Sequence, residues 1–521
     1  MGREQAENDR VWTLSRRVAW VRAFRKAVSA RRVDLCALME DEVGKPAYQG
    51  LGSDILPLLL SCVWHEKRGW KLLRPTRVGG VPLVMTGLSS RELRVPIAPW
   101  DGPDRVAIIA TWNYPVQLLG IQLVQAILAG NRVVVKPSEN APRTQQLLLE
   151  VARDAGGAGG AGGLGVSGLP PGVLEWTAAT RDAAREVLAS GTVKHVVFTG
   201  STRVGRQIAA WAAENLVTST LELSGADSAF VLADADVDLA ASQLWDGVTI
   251  NAGQTCMAPR RILVERAAYP AFIAALAPLA AAAQPVRLIS AEAAARCHAV
   301  ASGSLVAGAR SLSGVIEPPD ARDGRWLRPL ALADCPTAAR ATPAPGMAEL
   351  LSGAHFGPIV AIVPVESVAQ ALEVHRRCDQ HLSASIFSRN VGAARDLAPL
   401  LGASQVAINS CLFPTGHPAT SLGGRGPSGW GTSRGTHGLL DMTRAVFASA
   451  LPTWVPRASV TGGSARMLGA LQTLLDTLYG RRAPGGAAPL PSPDTVGGTR
   501  GNAPPTTREP TRAAQASVHS P

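Results

Sequence analysis

The sequence lacks several features that define whole classes of protein. Its seven cysteines are scattered, without a Cys-x-x-Cys pair or histidines at metal-ligand spacing, which argues against a disulfide framework or a zinc site. The longest nearly apolar stretches, around residues 55–64 and 272–283, are shorter than the roughly 20 residues that span a bilayer. The first ten residues carry both charge signs with no apolar run after them, unlike a secretory signal. We therefore expect a cytoplasmic protein with no metal and no membrane span.

Aromatic residues are also scarce, at 5% of the chain, so there is little surface for stacking nucleic-acid bases. The formal net charge of +11 at first suggests a nucleic-acid partner, but residues 1–32 and 452–521 account for ten of those eleven charges. The body of the chain is nearly neutral, which does not predict a basic groove. We expect no nucleic-acid partner and interpret the basic ends as solvated.

At 521 residues and 46% hydrophobic, the chain is long enough for two or three domains. Near its start, apolar residues recur at three- and four-residue steps with arginines between them. This pattern predicts an amphipathic helix, which we expect to pack against the body of the protein rather than on a membrane surface. The apolar positions are Val11, Leu14, Val18, Val21, Phe24 and Val28.

From Val106 onward, apolar strand patterns alternate with helical ones, which predicts a doubly wound α/β domain with a parallel sheet. A second α/β unit is expected from about residue 226 to residue 414. A formal Gly-x-Gly-x-x-Gly match at Gly157, Gly159 and Gly162 follows a helix and is low in complexity, so we interpret it as a loop. The better phosphate site is Gly200-Ser201, which follows a strand and opens a helix.

Three strings carry the residue types needed for covalent acyl chemistry. Glu222 lies in Thr-Leu-Glu-Leu-Ser-Gly, Cys256 lies in Asn-Ala-Gly-Gln-Thr-Cys, and Asn113 ends an apolar run just before Tyr114-Pro115. Gly253, just before Cys256, lets the backbone come close to a ligand, which suits a nucleophilic cysteine and is not needed beside a cysteine of the protein core. A carboxylate can take a proton from water, and an amide can donate to an oxyanion.

Together these strings resemble the NAD(P)-dependent aldehyde dehydrogenase superfamily, most closely its class 3 branch. The likeness covers roughly residues 10 to 450 and includes further strings in the family's order: Lys136-Pro-Ser-Glu139, Phe198-Thr-Gly-Ser-Thr-Arg-Val-Gly205, Phe356-Gly-Pro358 and Gly423-Gly-Arg-Gly-Pro-Ser-Gly429.

The resemblance implies a role for each matching residue. Cys256 would be the nucleophile, Glu222 the general base and Asn113 a donor to the oxyanion. Relatives that pass the acyl group to coenzyme A lack this glutamate, so hydrolysis to the free acid is expected. The residues implied to bind NAD or NADP, with NAD favoured by the carboxylate of Glu139, are Trp112, Lys136, Glu139, Gly200, Ser201, Gly205, His355 and Phe356.

The chain departs from the family pattern at two positions. His355 replaces the glutamate that usually precedes Phe-Gly-Pro and holds the nicotinamide ribose. An imidazole has fewer acceptor sites than a carboxylate and an ordinary pKa near 6.5, so we expect looser or pH-sensitive placement of the nicotinamide. Ala226 replaces the usual lysine after Gly225, and we expect only a packing difference from it.

The expected division of the chain follows the resemblance. Residues 1–85 and 104–222 would form the cofactor domain and residues 223–415 the catalytic domain. Residues 86–103 and 416–455 would form an oligomerisation arm, with strands near 91–95 and 445–449 and a homodimer favoured. Residues 456–521 would form an amphipathic helix and a tail that does not fold.

The substrate is expected to be an aldehyde whose identity depends on the tunnel above Cys256, to which Tyr114, Trp245 and Phe413 are candidates to contribute. The alternative is a protein that keeps the fold but has lost hydride chemistry. It would then be a structural component or a cofactor-independent esterase that uses Cys256 and Glu222.

Overall fold

The computed structural model describes residues 12–81, 85–156, 168–319, 323–337, 345–353, 355–455 and 465–480. The chain divides into two compact units, residues 1–450 and 451–521. In the second unit the structure describes the helix Ala465–Leu478, which agrees with the amphipathic helix predicted there. Val11 and the glycine-rich motif at Gly157, Gly159 and Gly162 lie outside the described residues.

Three long helices open the first unit: Leu14–Ala30, Arg32–Val43 and Leu56–Leu73, the last continuing a π-helical turn at Gly50–Ile55. The first helix buries Trp20, Val21, Phe24 and Val28 and packs against helices Leu56–Leu73 and Pro142–Asp154. Its apolar stripe is therefore covered by protein, as the sequence pattern predicted.

The first large sheet has six strands, in the spatial order β17 (Gly429–Trp430), β7 (Thr218–Glu222), β6 (Val193–Thr199), β3 (Arg105–Ile109), β4 (Val133–Lys136) and β5 (Leu174–Trp176). Neighbouring strands are parallel, except that β17 runs antiparallel to β7. Apolar β-branched runs form its buried centre, as expected for strands covered on both faces. The helices between the strands are Gln117–Ala129, Pro142–Asp154, Arg181–Ala189 and Thr202–Glu214.

The second large sheet has seven strands, in the spatial order β11 (Arg310–Ser311), β13 (Leu330–Ala333), β14 (Ile359–Val365), β9 (Pro259–Glu265), β8 (Asp227–Val231), β15 (Ser383–Phe387) and β16 (Gln405–Ile408). All are parallel except β11, which runs antiparallel to β13. Its main helices are Val237–Thr249, Tyr269–Ala281, Ala291–Val306, Pro345–Ser352, Val368–Arg376 and Val391–Leu397. A short antiparallel pair, β10 Val286–Arg287 with β12 Trp326–Leu327, lies outside this sheet. Two largely parallel α/β layers are thus present, as the alternating pattern predicted.

A third, antiparallel sheet joins distant parts of the chain: β1 Thr76–Val78, β2 Ser89–Pro96 and β18 Thr443–Ala450. In it Arg91 pairs with Ala448 and Val95 with Arg444, so the two predicted arm strands do pair. The division into cofactor domain, catalytic domain and arm stays a prediction. No helix in the described part of the chain is long and apolar enough to cross a membrane.

Trp20 provides a test of how the first helix is held. Its indole Nε1 donates to the carbonyl of Ala152 at 3.0 Å, in the last turn of Pro142–Asp154, where carbonyls lack helical partners. Replacing Trp20 with Phe leaves that buried carbonyl unsatisfied, so we expect the free energy of unfolding to fall by about 1–3 kcal/mol. Urea denaturation followed by circular dichroism measures it.

The matched control is Trp70→Phe, because Trp70 lies half exposed on a neighbouring helix. We expect it to change the free energy of unfolding by less than about 0.5 kcal/mol. Equal losses in the two variants would contradict the role assigned to the indole hydrogen bond.

Candidate active site

Cys256 lies on a loop between helix Val237–Thr249 and strand β9. The loop is shaped by three consecutive residues with positive φ: Asn251 at 52°, Ala252 at 54° and Gly253 at 67°. A β-carbon on Gly253 would overlap the backbone of Gly357 and Pro358. A glycine is therefore required there for conformation and for close approach, and the Cys256 loop lies directly on the Phe356-Gly357-Pro358 turn.

The guanidinium of Arg260 holds these two segments together. Its Nη2 donates to the carbonyls of Gly253 at 2.8 Å and Thr255 at 2.9 Å, and its Nη1 donates to the carbonyl of Gly357 at 2.7 Å. The side chain is fully buried. Because a buried charge needs compensating dipoles, the three carbonyls and the guanidinium stabilise one another.

Asn113 follows strand β3 and reaches the Cys256 loop. Its side-chain Nδ2 donates to the carbonyl of Gln254 at 3.1 Å, and its own carbonyl accepts from Lys45 Nζ at 2.8 Å and from Asn251 Nδ2 at 2.9 Å. One hydrogen of the Asn113 amide is thereby used for structure, and the second is available for a ligand.

Lys45 is in turn part of a buried ion pair with Asp54. The other carboxylate oxygen of Asp54 accepts from the backbone N–H groups of Val116 and Gln117, each at 3.1 Å. Lys45 also lies 3.9 Å above the ring of Tyr114, whose hydroxyl is 2.6 Å from Thr255 Oγ1. This network fixes the segment after β3 from beneath.

Glu222 is the last residue of β7 and is almost fully buried, with 4% of its surface exposed. Its carboxylate accepts hydrogen bonds from the hydroxyls of Ser433 and, at 3.4 Å, of Thr199. Burial raises the pKa of the carboxyl, while the charge of Arg434 and the two hydroxyls oppose that rise.

Cys256 and Glu222 interact electrostatically in this site. Although Cys256 keeps part of its surface exposed, burial, and after it the charges of Glu222 and Asp227, raise the pKa of its thiol to about 12. The thiol therefore carries its proton at neutral pH, and Glu222 is the nearby group able to accept one.

The remaining candidates lie at the carboxyl ends of neighbouring strands, where open α/β sheets bind ligands. Lys136 ends β4 beside the end of β3 and donates to Glu139 Oε1 at 2.7 Å. Gly200 follows β6 and donates its N–H to the carbonyl of Glu222 at 3.0 Å. Ser201 caps helix Thr202–Glu214, which contains Gly205, and its Oγ accepts from the N–H of Val204 at 3.4 Å.

His355 is buried, and neither ring nitrogen has a hydrogen-bond partner within the described structure. Burial, aided by the charge of Arg260, lowers the pKa of His355 well below its usual range. The expectation of a charge change near pH 6.5 is therefore wrong, because the imidazole is already neutral there. Next to it, Phe356 adopts a φ of 46° and its ring meets that of Trp112 edge-to-face at 6.0 Å.

The residues present fit a nicotinamide cofactor. The N-terminus of helix Thr202–Glu214 provides free N–H groups for a phosphate. Lys136 at the end of β4 provides an ammonium, and Glu139 just after it a carboxylate. His355 provides a buried imidazole whose nitrogens have no partner among the described residues. Among the described residues no cluster of His, Cys, Asp or Glu suits a metal ion.

The structure adds residues that the sequence patterns missed: Lys45, Asp54, Asn251, Arg260, Ser433 and Arg434. Each also has a partner that no spacing rule indicates, such as Asn113 for Lys45, Gly357 for Arg260 and Glu222 for Ser433. Of the substrate-tunnel candidates, Tyr114 and Trp245 are buried and Phe413 is 89% exposed.

Comparison with known proteins identifies the family of the chain. A model of the aldehyde dehydrogenase family matches residues 3–447, so the chain belongs to the aldehyde dehydrogenase family. It is 29% identical over 420 residues to the 4,4'-diapolycopene aldehyde oxidase of a Methylomonas species, covering 79% of this chain and 73% of that protein. It is also 29% identical over 446 residues to a putative NADP-dependent succinate-semialdehyde dehydrogenase of Mycolicibacterium smegmatis, covering 83% and 80%.

Among solved structures, the chain resembles an NAD-dependent aldehyde dehydrogenase from Sinorhizobium meliloti, with a TM-score of 0.75, 26% identity and coverage of 86% of this chain and 84% of that one. It also resembles a Mycobacterium tuberculosis aldehyde dehydrogenase in complex with NAD+, with a TM-score of 0.72, 25% identity and coverage of 85% and 86%. The protein is an NAD(P)-dependent aldehyde dehydrogenase, as its sequence motifs predicted.

Gly253→Ala tests the packing of the Cys256 loop. The new β-carbon would overlap the Gly357–Pro358 backbone and add a side chain at positive φ. We expect at least a tenfold loss of aldehyde oxidation and a changed rate of Cys256 alkylation by iodoacetamide. Gly52→Ala is the control, because a β-carbon there meets nothing within 4 Å; equal activity in the two variants would contradict the prediction.

Proposed function

We propose that the protein oxidises an aldehyde to the carboxylic acid through a covalent intermediate on Cys256, which is hydrolysed with Glu222 as general base. The observation that carries this proposal is that the charge of the buried Glu222, at the end of β7, raises the pKa of the Cys256 thiol, while the Asn113 amide donates to the Gln254 carbonyl two residues before Cys256.

In the first step the sulfur of Cys256 bonds to the aldehyde carbon, the C=O double bond becomes a single bond to an oxyanion, and the thiol proton moves to the Glu222 carboxylate. The oxyanion accepts hydrogen bonds from Asn113 Nδ2 and from the N–H of Cys256, which donates to no backbone carbonyl in the described structure. Preorganised donors of this kind stabilise the charge that develops during attack.

A bound nicotinamide cofactor supplies the acceptor for the hydride that leaves the aldehyde carbon. We propose that Lys136 and Glu139 bind the hydroxyls of its adenine ribose, and that the N–H groups of Ser201 and Thr202, at the start of helix Thr202–Glu214, face its pyrophosphate. Glu139 disfavours an additional 2′-phosphate by charge repulsion, so we propose a preference for NAD over NADP.

In the last step Glu222, ionised again, takes a proton from water as the water oxygen bonds to the acyl carbon. The bond between that carbon and the sulfur of Cys256 then breaks, the sulfur takes back the proton held by Glu222, and the acid is released with the thiol restored. Burial of Glu222 strengthens it as a proton acceptor, since a raised pKa means a more basic carboxylate.

The proposed assembly is a cytoplasmic homodimer that uses the β1-β2-β18 sheet. Strand β18 leaves most of its residues exposed, Phe447 among them at 63%, so this sheet has apolar surface available for a second copy.

The histidine at position 355 favours a second candidate function, ester hydrolysis without a cofactor. His355 replaces the usual carboxylate, and a protein that has lost hydride chemistry would keep Cys256 and Glu222 for ester hydrolysis alone. Such a protein would hydrolyse activated esters without responding to NAD or NADP.

The test is absorbance at 340 nm with a panel of aliphatic and aromatic aldehydes and either cofactor. We expect aldehyde-dependent reduction, lost at least about a thousandfold in Cys256→Ala and reduced about a hundredfold or more in Glu222→Gln. Cys378→Ala, which removes another partly exposed cysteine, serves as the control and should keep its activity. Folded protein with ester hydrolysis but no reduction on any aldehyde would favour the second candidate.

His355 gives a separate prediction about cofactor affinity. A carboxylate at this position would accept two hydroxyl hydrogen bonds, and the nearby Arg260 would favour its charge. We expect His355→Glu to lower the Kd for NAD about tenfold and His355→Ala to raise it, as measured by calorimetry without aldehyde. His437→Glu, at an exposed position, is the control. An unchanged Kd in folded His355→Glu would show that this side chain does not contact the cofactor.

A further inference from the structure

The late glycine string has no role in the chemistry described so far. In the structure this segment, residues 422–435, crosses the carboxyl end of β7. Its two ends are joined by paired hydrogen bonds between Leu422 and Ser433, at 2.8 and 2.7 Å, and Gly429 pairs with Glu222 as β17 meets β7. The segment is therefore attached to the strand that carries the general base.

The close approach depends on Gly429. Its φ is 106°, and a β-carbon there would overlap the carbonyl oxygen of Leu221. A side chain at this position would push the segment away from β7. The glycine thus brings Ser433, four residues later, against the carboxylate of Glu222, and Arg434 is the next residue in the chain.

Ser433 contacts Glu222 directly, since its hydroxyl donates to one carboxylate oxygen while Thr199 donates to the other. Thr199 is itself held by Gln122 Nε2 at 3.1 Å. The carboxylate is therefore bound at both oxygens by side chains from two different segments, which restricts its rotation.

Arg434 brings a positive charge to the same place. Only 5% of its surface is exposed, its Nη1 donates to the carbonyl of Thr415 at 2.9 Å, and its Nε has no partner within the described residues. Its backbone is fixed at a φ of 60° and donates to Gln125 Oε1 at 3.2 Å. Within the described part of the chain no carboxylate lies within 4 Å of its nitrogens, so its charge is uncompensated by an ion pair.

We propose that Ser433 and Arg434 are positioning residues for the general base: Ser433 orients the Glu222 carboxylate toward the acyl-enzyme, and Arg434 favours its charged form. This inference rests on the proposed function. The charged and titratable groups that act on Glu222 and its partner thiol are Arg434, Cys256 and Asp227. Of these, only Arg434 contributes a positive charge.

The test uses a chromogenic acetate ester without cofactor, so that two phases are seen separately. The initial burst reports formation of the acyl-enzyme on Cys256, and the steady rate after it reports hydrolysis with Glu222 as base. Each phase is measured as a function of pH between 5 and 9.

In Ser433→Ala we expect about a tenfold slower steady rate and also a slower burst, because Glu222 accepts the thiol proton in the first step. In Arg434→Gln the acid limb of the steady rate should move about one unit to higher pH. The limb moves to higher pH because loss of a positive charge raises the pKa of a nearby carboxyl. The steady rate therefore falls about tenfold on the acid limb and is unchanged at high pH. Arg434→Lys, which keeps the charge, should restore the limb.

Two controls separate positioning from general damage. Ser421→Ala removes a serine hydroxyl next to the same segment whose hydrogen bond among the described residues is with His437, and both phases should be unchanged. In Glu222→Gln the further change Ser433→Ala should add no more than about twofold, because a residue that acts through Glu222 has nothing left to act on.

The inference is overturned if the steady rate of Arg434→Gln falls equally at every pH. It is also overturned if the rate losses caused by Ser433→Ala and by Glu222→Gln multiply in the double variant. It is also overturned if Arg434→Gln raises only the KM of acidic aldehydes, which would make the guanidinium a substrate contact. Absence of any burst in the unaltered protein would overturn the acyl-enzyme chemistry of the proposed function and this inference with it. A normal burst with an unmoved acid limb would reject the inference alone.

Discussion

The guanidinium of Arg260 is the interaction on which the rest of the site depends. It is a fully buried cation that binds three carbonyl oxygens from two loops, and the Cys256 loop and the Phe356-Gly357-Pro358 turn both close on it. Removing a buried charge from water is costly, so the loops must supply dipoles in fixed positions. The strained backbone at Asn251 and Ala252 is tolerated because it directs the Gly253 and Thr255 carbonyls toward that charge.

A second buried cation has the same effect on the other wall of the site. Lys45 is compensated by Asp54, by the carbonyl of Asn113 and by the ring of Tyr114. Asp54 in turn accepts from the first N–H groups around helix Gln117–Ala129. Asn113, the proposed oxyanion donor, is thus held by a charge that originates about seventy residues earlier in the chain. Both walls of the site are built by satisfying a buried positive charge.

The sequence predicts much of this fold because its signals are local. Buried strands such as Arg105–Ile109 and Val193–Thr199 are short apolar runs, and the first helix shows a clear apolar stripe. The candidate site residues could be named because they belong to strings with recognisable neighbours. Arg260 and Ser433 could not be named in this way, since their partners depend on how distant loops fold together. The pKa of His355 was expected wrongly because its burial is a tertiary property that a neighbouring Phe-Gly-Pro string does not reveal.

The coupling of Cys256 and Glu222 also sets the order of proton movements under the proposed mechanism. Burial and the charge of Glu222 raise the pKa of the Cys256 thiol to about 12, so the thiol carries its proton at rest. Formation of the acyl-enzyme removes the thiol as a titrating group and delivers its proton to Glu222, which must lose it before it can serve as a base for water. The positive charge of Arg434 favours that second loss, since it stabilises the carboxylate. A single buried carboxylate can therefore serve both half-reactions, provided that its proton reaches solvent between them.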